Sequence, residues 1–93
     1  MTYRIHATKK YRKDIKRLAK SCCDLSELEH VIDLLAQGKK LPAVHCNHTL
    51  KGRFVGLEEC HIAPDWLLIY ERDQGELTLV LVRTGSHSEL LGC

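Results

Sequence analysis

The sequence lacks a long apolar run, and no hydrophobic stretch approaches the roughly 20 residues that a membrane-spanning helix needs. It also lacks the apolar h-region of a secretory signal peptide. We therefore expect a cytoplasmic protein with no membrane partner. Internal repeats, linkers and low-complexity tracts are absent too, and 93 residues of 44% hydrophobic composition predict one globular domain over residues 1–93.

Motifs for several common chemistries are also missing. The chain has no CxxC pair and no HExxH, so the spacing of His45 and His48 is weak evidence for zinc. It has no P-loop and no dinucleotide-binding fingerprint. We expect neither a metal nor a cofactor. The five cysteines are odd in number and none has a recognisable nucleophile context, which argues against disulfides and against a Cys–His hydrolase.

The charge that is present is unevenly distributed. Residues 1–53 hold twelve lysines and arginines against five acids, a balance of +7, whereas residues 54–93 hold two against seven, a balance of −5. Such asymmetry is typical of a basic face for a polyanion or an acidic partner, and a solvated helix surface gives the same count.

Two helices are predicted in the first half of the chain, after a short strand at residues 3–6. Thr8 is an N-cap candidate for the first helix, which runs to about residue 22, and Asp24 with Glu27 is a capping-box start for the second. Gly38 fits the position that follows the second helix, and the short connection predicts an antiparallel αα-hairpin. The apolar stripe of the first helix is Tyr11, Ile15, Leu18, Ala19 and Cys22, and its charged face is Lys9, Lys10, Arg12, Lys13, Asp14, Lys16, Arg17 and Lys20.

Strands are predicted in the second half, at residues 54–62, 66–71 and 77–83, with a hairpin turn at 73–75. Ser86 with Glu89 predicts a capping box for a short C-terminal helix. This order indicates an α+β domain. We expect the N-terminal strand and the αα-hairpin to pack on a small, mainly antiparallel twisted sheet of about four strands.

Polar residues of catalytic type lie at the ends of the predicted strands. His48 precedes the second strand, His61 ends it, Asp65 opens the third, and His87 follows the fourth with Arg83 nearby. This set suits RNA cleavage by internal transesterification, because histidines with an ordinary pKa near ~6.5 can exchange protons at neutral pH. A guanidinium matches the oxygens of the phosphorane. No metal is needed for that chemistry.

Three blocks, residues 48–52, 59–70 and 83–90, resemble the YafQ branch of the RelE/ParE toxin superfamily in order and spacing. The resemblance implies the compact RelE-like fold and a type II toxin–antitoxin toxin. It further implies a ribosome-dependent, metal-independent endoribonuclease that cuts mRNA in the A site of the 70S ribosome. A co-encoded antitoxin, usually with a ribbon-helix-helix half, is implied as well, and operator DNA would be bound only through that antitoxin.

The resemblance also implies roles by motif position. His87 would be the general acid, Arg83 would stabilise the phosphate, and the base role would be shared among His48, His61 and Asp65. Trp66 would support the site or contact RNA. Leu91 stands where the family usually has an aromatic, whose stacking on a base would be worth ~1–3 kcal/mol. The RNA-binding candidates are Lys9, Lys10, Lys13, Lys16, Arg17, Lys51, Arg53, Trp66 and Leu91.

The cations of the first helix are expected to bind ribosomal RNA, with an affinity that falls steeply as the salt concentration rises. An acidic antitoxin segment could occupy the same surface. Two other functions are open: ParE-like relatives share the fold and act by binding DNA gyrase, and a purely structural module is the third possibility. The acid–base set favours the nuclease over a pure binder, and the basic helix argues against the structural module.

Overall fold

The chain folds as a mixed sheet with two helices on one face. A computed structural model describes residues 2–21, 24–45, 47–49, 56–86 and 90. The elements are β1 (Arg4–Ala7), α1 (Lys9–Lys20), α2 (Ser26–Ala36), a 3-10 turn (Ala43–His45), β2 (His48–Thr49), β3 (Glu58–Ala63), β4 (Trp66–Asp73) and β5 (Thr78–Gly85). Neither helix in this described part has the length and apolarity of a membrane span.

The strand order is β1-β5-β4-β3-β2, so the first and last strands are neighbours. β1 pairs parallel with β5, and the remaining pairs are antiparallel. The predicted α+β class is confirmed. Four strands have four or more residues, as expected, and the two-residue β2 is a fifth on the far edge.

The main core lies between the helices and the sheet. Side chains alternate across a strand, so every second residue of β3, β4 and β5 faces the helices. The buried members of this core are Tyr3, Tyr11, Leu28, Val31, Leu35, Ala36, Cys60, Ile62, Leu68, Tyr70, Leu79 and Leu81. A smaller cluster on the opposite face contains Leu67, Ile69 and Leu90.

Two of the four predicted helix-end signals are confirmed, those at Thr8 and Gly38. The Thr8 hydroxyl accepts the Tyr11 amide at 3.1 Å and caps α1. Gly38 has a φ of 73°, and its amide bonds the Leu35 carbonyl at 3.0 Å while the Lys39 amide bonds Leu34. These paired bonds are a Schellman motif, which the flexibility of glycine permits.

The predicted capping box at Asp24 is wrong. Leu25 is the N-cap of α2 and makes no side-chain cap bond. Asp24 accepts the Ser26 amide at 2.9 Å instead, in a local turn that leads into the helix. The helix therefore begins at Ser26, after a turn closed by Asp24.

Strand boundaries differ from the prediction by a few residues. β3 begins at Glu58 within the described residues, and β4 and β5 each extend two residues past their predicted ends. β4 pairs Ile69 with Arg83 but Tyr70 with Leu81, so Val82 is the extra residue of a β-bulge. The Leu90 amide bonds the Ser86 carbonyl at 3.1 Å, one helical turn at the predicted C-terminal helix. Glu89, its proposed capping partner, lies outside the described residues.

Candidate active site

The sheet face turned away from the helices carries the polar residues of interest. Glu59 pairs with Ile69 and His61 pairs with Leu67 across β3 and β4. Directly opposed residues share a face, so Glu59 and His61 lie beside the small apolar cluster of Leu67 and Ile69. We call this surface the His61 face, defined by Glu59, His61, Leu67, Ile69 and Val82.

His61 is held in place by two neighbours. Its Nε2 lies 3.7 Å from Glu59 Oε1, and its side chain is 26% exposed whereas that of Glu59 is 3% exposed. On the backbone side, Nδ1 of the buried His45 donates to the His61 carbonyl oxygen at 2.7 Å. One histidine therefore fixes the strand position of another, while a buried carboxylate faces the half-exposed ring.

Asp65 and Trp66 sit at the hairpin that joins β3 to β4. Pro64 and Asp65 form the two-residue turn, and Asp65 is exposed there, close in sequence to His61. Trp66 points to the other side, where its indole Nε1 donates to the Thr84 hydroxyl at 2.9 Å. That hydroxyl donates in turn to the Leu67 carbonyl at 2.8 Å. Trp66 thus packs against the helix-side core and ties β4 to β5.

The remaining catalytic candidates are described only in part. The backbone of His48 lies in β2, in register with Glu59, which brings it next to the His61 face. His87, Leu91, Lys51 and Arg53 lie outside the described residues. The structure therefore places His48 beside Glu59, two residues before His61 on β3, and Asp65 in the turn that follows β3.

Arg83 is bound to a carboxylate from helix α1. Its Nε and Nη2 donate to Asp14 Oδ2 and Oδ1 at 2.8 and 2.9 Å, a two-point contact that orients the guanidinium plane. Arg17 Nη1 donates to the same Oδ1 at 2.8 Å, and the Thr84 amide donates to Oδ2 at 3.2 Å. Four hydrogen bonds converge on one carboxylate that is 1% exposed.

These bonds decide the ionisation of Asp14. Burial alone would raise the pKa of Asp14, because a charged carboxylate loses its hydration. The hydrogen bonds from Arg83, Arg17 and the Thr84 amide outweigh that effect and hold the pKa below its ordinary value. Asp14 is therefore a stable negative charge between two arginines at neutral pH.

Helix α1 covers the part of the β5 edge that β1 leaves open. β1 ends at Ala7, opposite Leu81. Beyond that point the Thr8 hydroxyl donates to the Val82 carbonyl at 2.8 Å, Asp14 accepts the Thr84 amide, and Arg17 Nη2 donates to the Thr84 carbonyl at 3.4 Å. Side chains of the helix thus replace the backbone partners that a longer first strand would supply.

This arrangement corrects two predictions for α1. Asp14 was expected on the charged outer face, but it is buried against β5 because it is the acceptor for Arg83, Arg17 and Thr84. Ala19 was expected in the apolar stripe, but it is exposed. Arg17 is half-buried through its bond to Asp14, whereas the six other cations of the helix are exposed, namely Lys9, Lys10, Arg12, Lys13, Lys16 and Lys20.

Sequence reasoning did not select Glu59, His45 or Asp14 as site residues. Glu59 and His61 are two apart on one strand, and that alternation was the available signal. Nothing in the sequence pairs His45 with the His61 carbonyl or Asp14 with Arg83. Within the described residues, no group of three or more histidines, cysteines or acids has the geometry of a metal site.

Cys60 is fully buried in the helix-side core, and burial, with a smaller contribution from Glu59, raises the pKa of its thiol to about 12. A thiol of this kind is almost never a thiolate at neutral pH, and the thiolate is the nucleophilic form. Cys60 is therefore a core residue and not a nucleophile.

A cationic helix beside a small mixed sheet, with histidines and acids at the free face of that sheet, is the architecture of the RelE-like toxins that the sequence resembles. A family model described as "Bacterial toxin of type II toxin-antitoxin system, YafQ" matches residues 3–92. The chain belongs to this YafQ family of type II toxin–antitoxin toxins.

Three relatives show how near the similarity is. The mRNA interferase toxin YafQ of Escherichia coli strain K12 is 37% identical over 83 residues, which are 88% of each chain. The chain matches a structure of the E. coli DinJ–YafQ toxin–antitoxin complex with a TM-score of 0.90 and 34% identity, over 99% of this chain and 100% of that one. A metal-bound toxin from Helicobacter pylori matches with a TM-score of 0.90 and 44% identity, over 98% and 100%.

Proposed function

We propose that the chain is an mRNA interferase, a ribosome-dependent endoribonuclease that cuts translated mRNA in the ribosomal A site. Family membership and the name of the E. coli relative support the general activity. The observation that carries the proposal is the half-exposed His61 ring on a rigid strand, with the buried Glu59 carboxylate beside it and the His45 bond behind it. A gyrase-binding protein has no need of a histidine held in this way.

The proposed reaction is metal-independent transesterification through the ribose 2′-oxygen. A base among His48, His61 and Asp65 takes the 2′-hydroxyl proton as that oxygen attacks the adjacent phosphorus. The bond from phosphorus to the 5′-oxygen then breaks, and that oxygen takes a proton from His87. Arg83 offsets the charge on the phosphorane oxygens. The products are a 2′,3′-cyclic phosphate and a free 5′-hydroxyl, and each proton transfer contributes about 10²–10⁴-fold.

The proposed partners are the 70S ribosome with its mRNA and an antitoxin. An antitoxin partner is supported by the DinJ–YafQ complex of the E. coli relative. We infer that this antitoxin carries a ribbon-helix-helix half and that operator DNA is bound through it. The exposed lysines of α1 offer both ribosomal RNA and an acidic segment a cationic surface, so the two partners would compete for it.

The test is primer extension on a reporter mRNA after brief induction of the toxin in the cytoplasm of a bacterial host. The wild type is compared with His61→Ala and His87→Ala, and His30→Ala, an exposed residue of α2, is the matched control. We expect cuts inside translated codons for wild type and control, and none for the two site variants or when initiation is blocked. When the mRNA is synthetic and carries a single 2′-deoxynucleotide at the cut site, the toxin should not cut it.

Growth arrest without any cuts would contradict the nuclease and favour the gyrase-binding alternative. A soluble His87→Ala protein that remained toxic would contradict the role of general acid. Cutting of the 2′-deoxy substrate would contradict attack by the 2′-oxygen, whatever the toxicity.

A further inference from the structure

We propose that Asp14, on the basic helix, is the positioning residue for Arg83: it sets the guanidinium at the β5 edge, between the cationic helix and the His61 face. The inference deepens the proposed nuclease function and rests on it. It names a residue that the catalytic set does not contain. It also links the basic helix to the site through one pair of residues.

Asp14 is a carboxylate in a buried position, where an acid is rarely found unless it is paired. Buried ion pairs seldom add net stability, because desolvation offsets the attraction, and an apolar pair of similar volume often serves as well. Helix α1 already has an apolar stripe, and its Thr8 hydroxyl bonds both the Tyr11 amide and the Val82 carbonyl. Attachment of the helix therefore does not require a charge at position 14.

Asp14 binds Arg83 through Nε and Nη2 together, and this two-point contact fixes the plane of the guanidinium as a single bond would not. Arg83 follows the bulge at Val82 and pairs with Ile69 on β4, two residues from the partner of His61. Strand spacings of ~4.8 Å and a rise of ~3.4 Å per residue place the two Cα atoms roughly 12 Å apart, which a phosphate group and an arginine side chain can span.

Arg17 Nη1 and Arg83 Nη2 both contact Asp14 Oδ1, so two like charges lie side by side across one oxygen atom. Without the carboxylate, the two guanidinium groups would repel each other and would lose the Asp14 oxygens as hydrogen-bond acceptors. Both side chains would then turn outward into solvent. With the carboxylate present, the cluster of Arg17, Arg83 and Asp14 keeps a net positive charge at a fixed position. An RNA phosphate backbone can bind there as it extends from helix α1 to the His61 face.

The experiment is a double-mutant cycle on single-turnover cleavage of mRNA by saturating toxin on programmed ribosomes. The variants are Asp14→Asn, Arg83→Ala and the double variant, with rates taken per folded protein. We expect Asp14→Asn to slow cleavage about 10- to 100-fold in the wild-type background and less than about 2-fold in the Arg83→Ala background. A structural role would slow both backgrounds equally.

Thr8→Val is the matched control, because it removes a different polar attachment to β5, the bond to the Val82 carbonyl, and leaves Arg83 and Asp14 intact. It should lower stability while the folded protein cleaves within about 2-fold of wild type. Slowing by Thr8→Val as large as that of Asp14→Asn would overturn the proposal, since attachment of the helix would then explain both.

Arg83→Lys keeps the test decisive if Asp14→Asn does not fold. Lysine retains the charge but cannot make the two-point contact, so this variant should cleave as slowly as Arg83→Ala. Cleavage near the wild-type rate would overturn the positioning role. If the wild type cuts nothing, the proposed function itself fails, whereas a cutting wild type with additive effects of Asp14 and Arg83 removes this inference alone.

Discussion

Nδ1 of His45 donates a 2.7 Å hydrogen bond to the carbonyl oxygen of His61, so a buried histidine anchors the strand that presents a half-exposed one. The carbonyl has no donor to offer, which fixes the hydrogen of His45 on Nδ1. The bond joins the 3-10 turn before β2 to the end of β3. It holds together the two segments that carry His48 and His61.

The first prediction concerns this bond. His45→Ala leaves the His61 carbonyl without its donor and opens a cavity, so unfolding free energy should fall by about 2–4 kcal/mol. Urea denaturation followed by tryptophan fluorescence measures the change, and His30→Ala should differ from wild type by less than about 0.5 kcal/mol. Equal stability of the two variants would show that the bond contributes nothing.

The second prediction concerns acid. Because the folded-state pKa of Asp14 is lowered, its contribution is fully present above its unfolded pKa of about 3.9 and is lost as pH falls through the folded value. Asp14→Asn should cost about 2–4 kcal/mol at neutral pH, less than a fully buried pair because both arginines keep some contact with water. The difference from wild type should shrink below about pH 4.

Urea titrations at a series of pH values from neutral to acid measure that difference. Asp33→Asn, on the exposed side of α2, is the control and should differ from wild type by less than about 0.5 kcal/mol throughout. A difference for Asp14→Asn that stayed constant into acid would mean that its ionised form is not what stabilises the fold.

The third prediction concerns Tyr70 on the helix-side face. Its buried hydroxyl donates to Asn47 Oδ1, and its pKa is raised by burial and then by the Glu58 charge, so it remains a neutral donor. Tyr70→Phe should cost about 0.5–1.5 kcal/mol and loosen the segment that leads into β2. Amide hydrogen exchange at His48 and Thr49 should rise, while Thr78→Ala at the opposite end of the sheet leaves those amides unchanged. Unaltered exchange at both residues in Tyr70→Phe would refute the link.

The fourth prediction concerns the exposed lysines of α1. Replacing Lys13 and Lys16 with Glu should weaken ribosome association. It should also reduce the slope of log K against log salt concentration by up to ~2, because each lost phosphate contact reduces that slope by a little under one. Reversing Lys39 and Lys40, which follow α2, makes the same change in net charge and is the control. Ribosome binding that falls equally in both variants would indicate attraction by net charge alone.

Local chemistry explains which parts of the fold were predictable. Thr8 and Gly38 signal the ends of their helices through bonds to residues three or four positions away, so the sequence contains both partners side by side. The segments of β4 and β5 were likewise predicted as strands, and their C-terminal ends lie two residues beyond the predicted ones. The α+β class followed from these signals.

Long-range pairing explains what was missed. Asp14 looks like one acid among lysines until the fold places it beside Arg83, 69 residues later. His45 was considered only as a weak metal ligand, because its bond to the His61 carbonyl depends on how the 3-10 turn packs on β3. His48 and His61 were both proposed from motif position, and the register of His48 with Glu59 supports their proximity.

The parallel pairing of β1 with β5 sets the order in which the molecule can be completed during its own synthesis. The first strand and first helix are translated before their hydrogen-bond partners, from Thr78 to Thr84, which follow about 70 residues later. Such distant contacts form slowly and only once both ends exist. A nascent chain that stops before β5 therefore has no edge on which to dock its basic helix. The fold therefore delays a finished toxin until β5 has been translated.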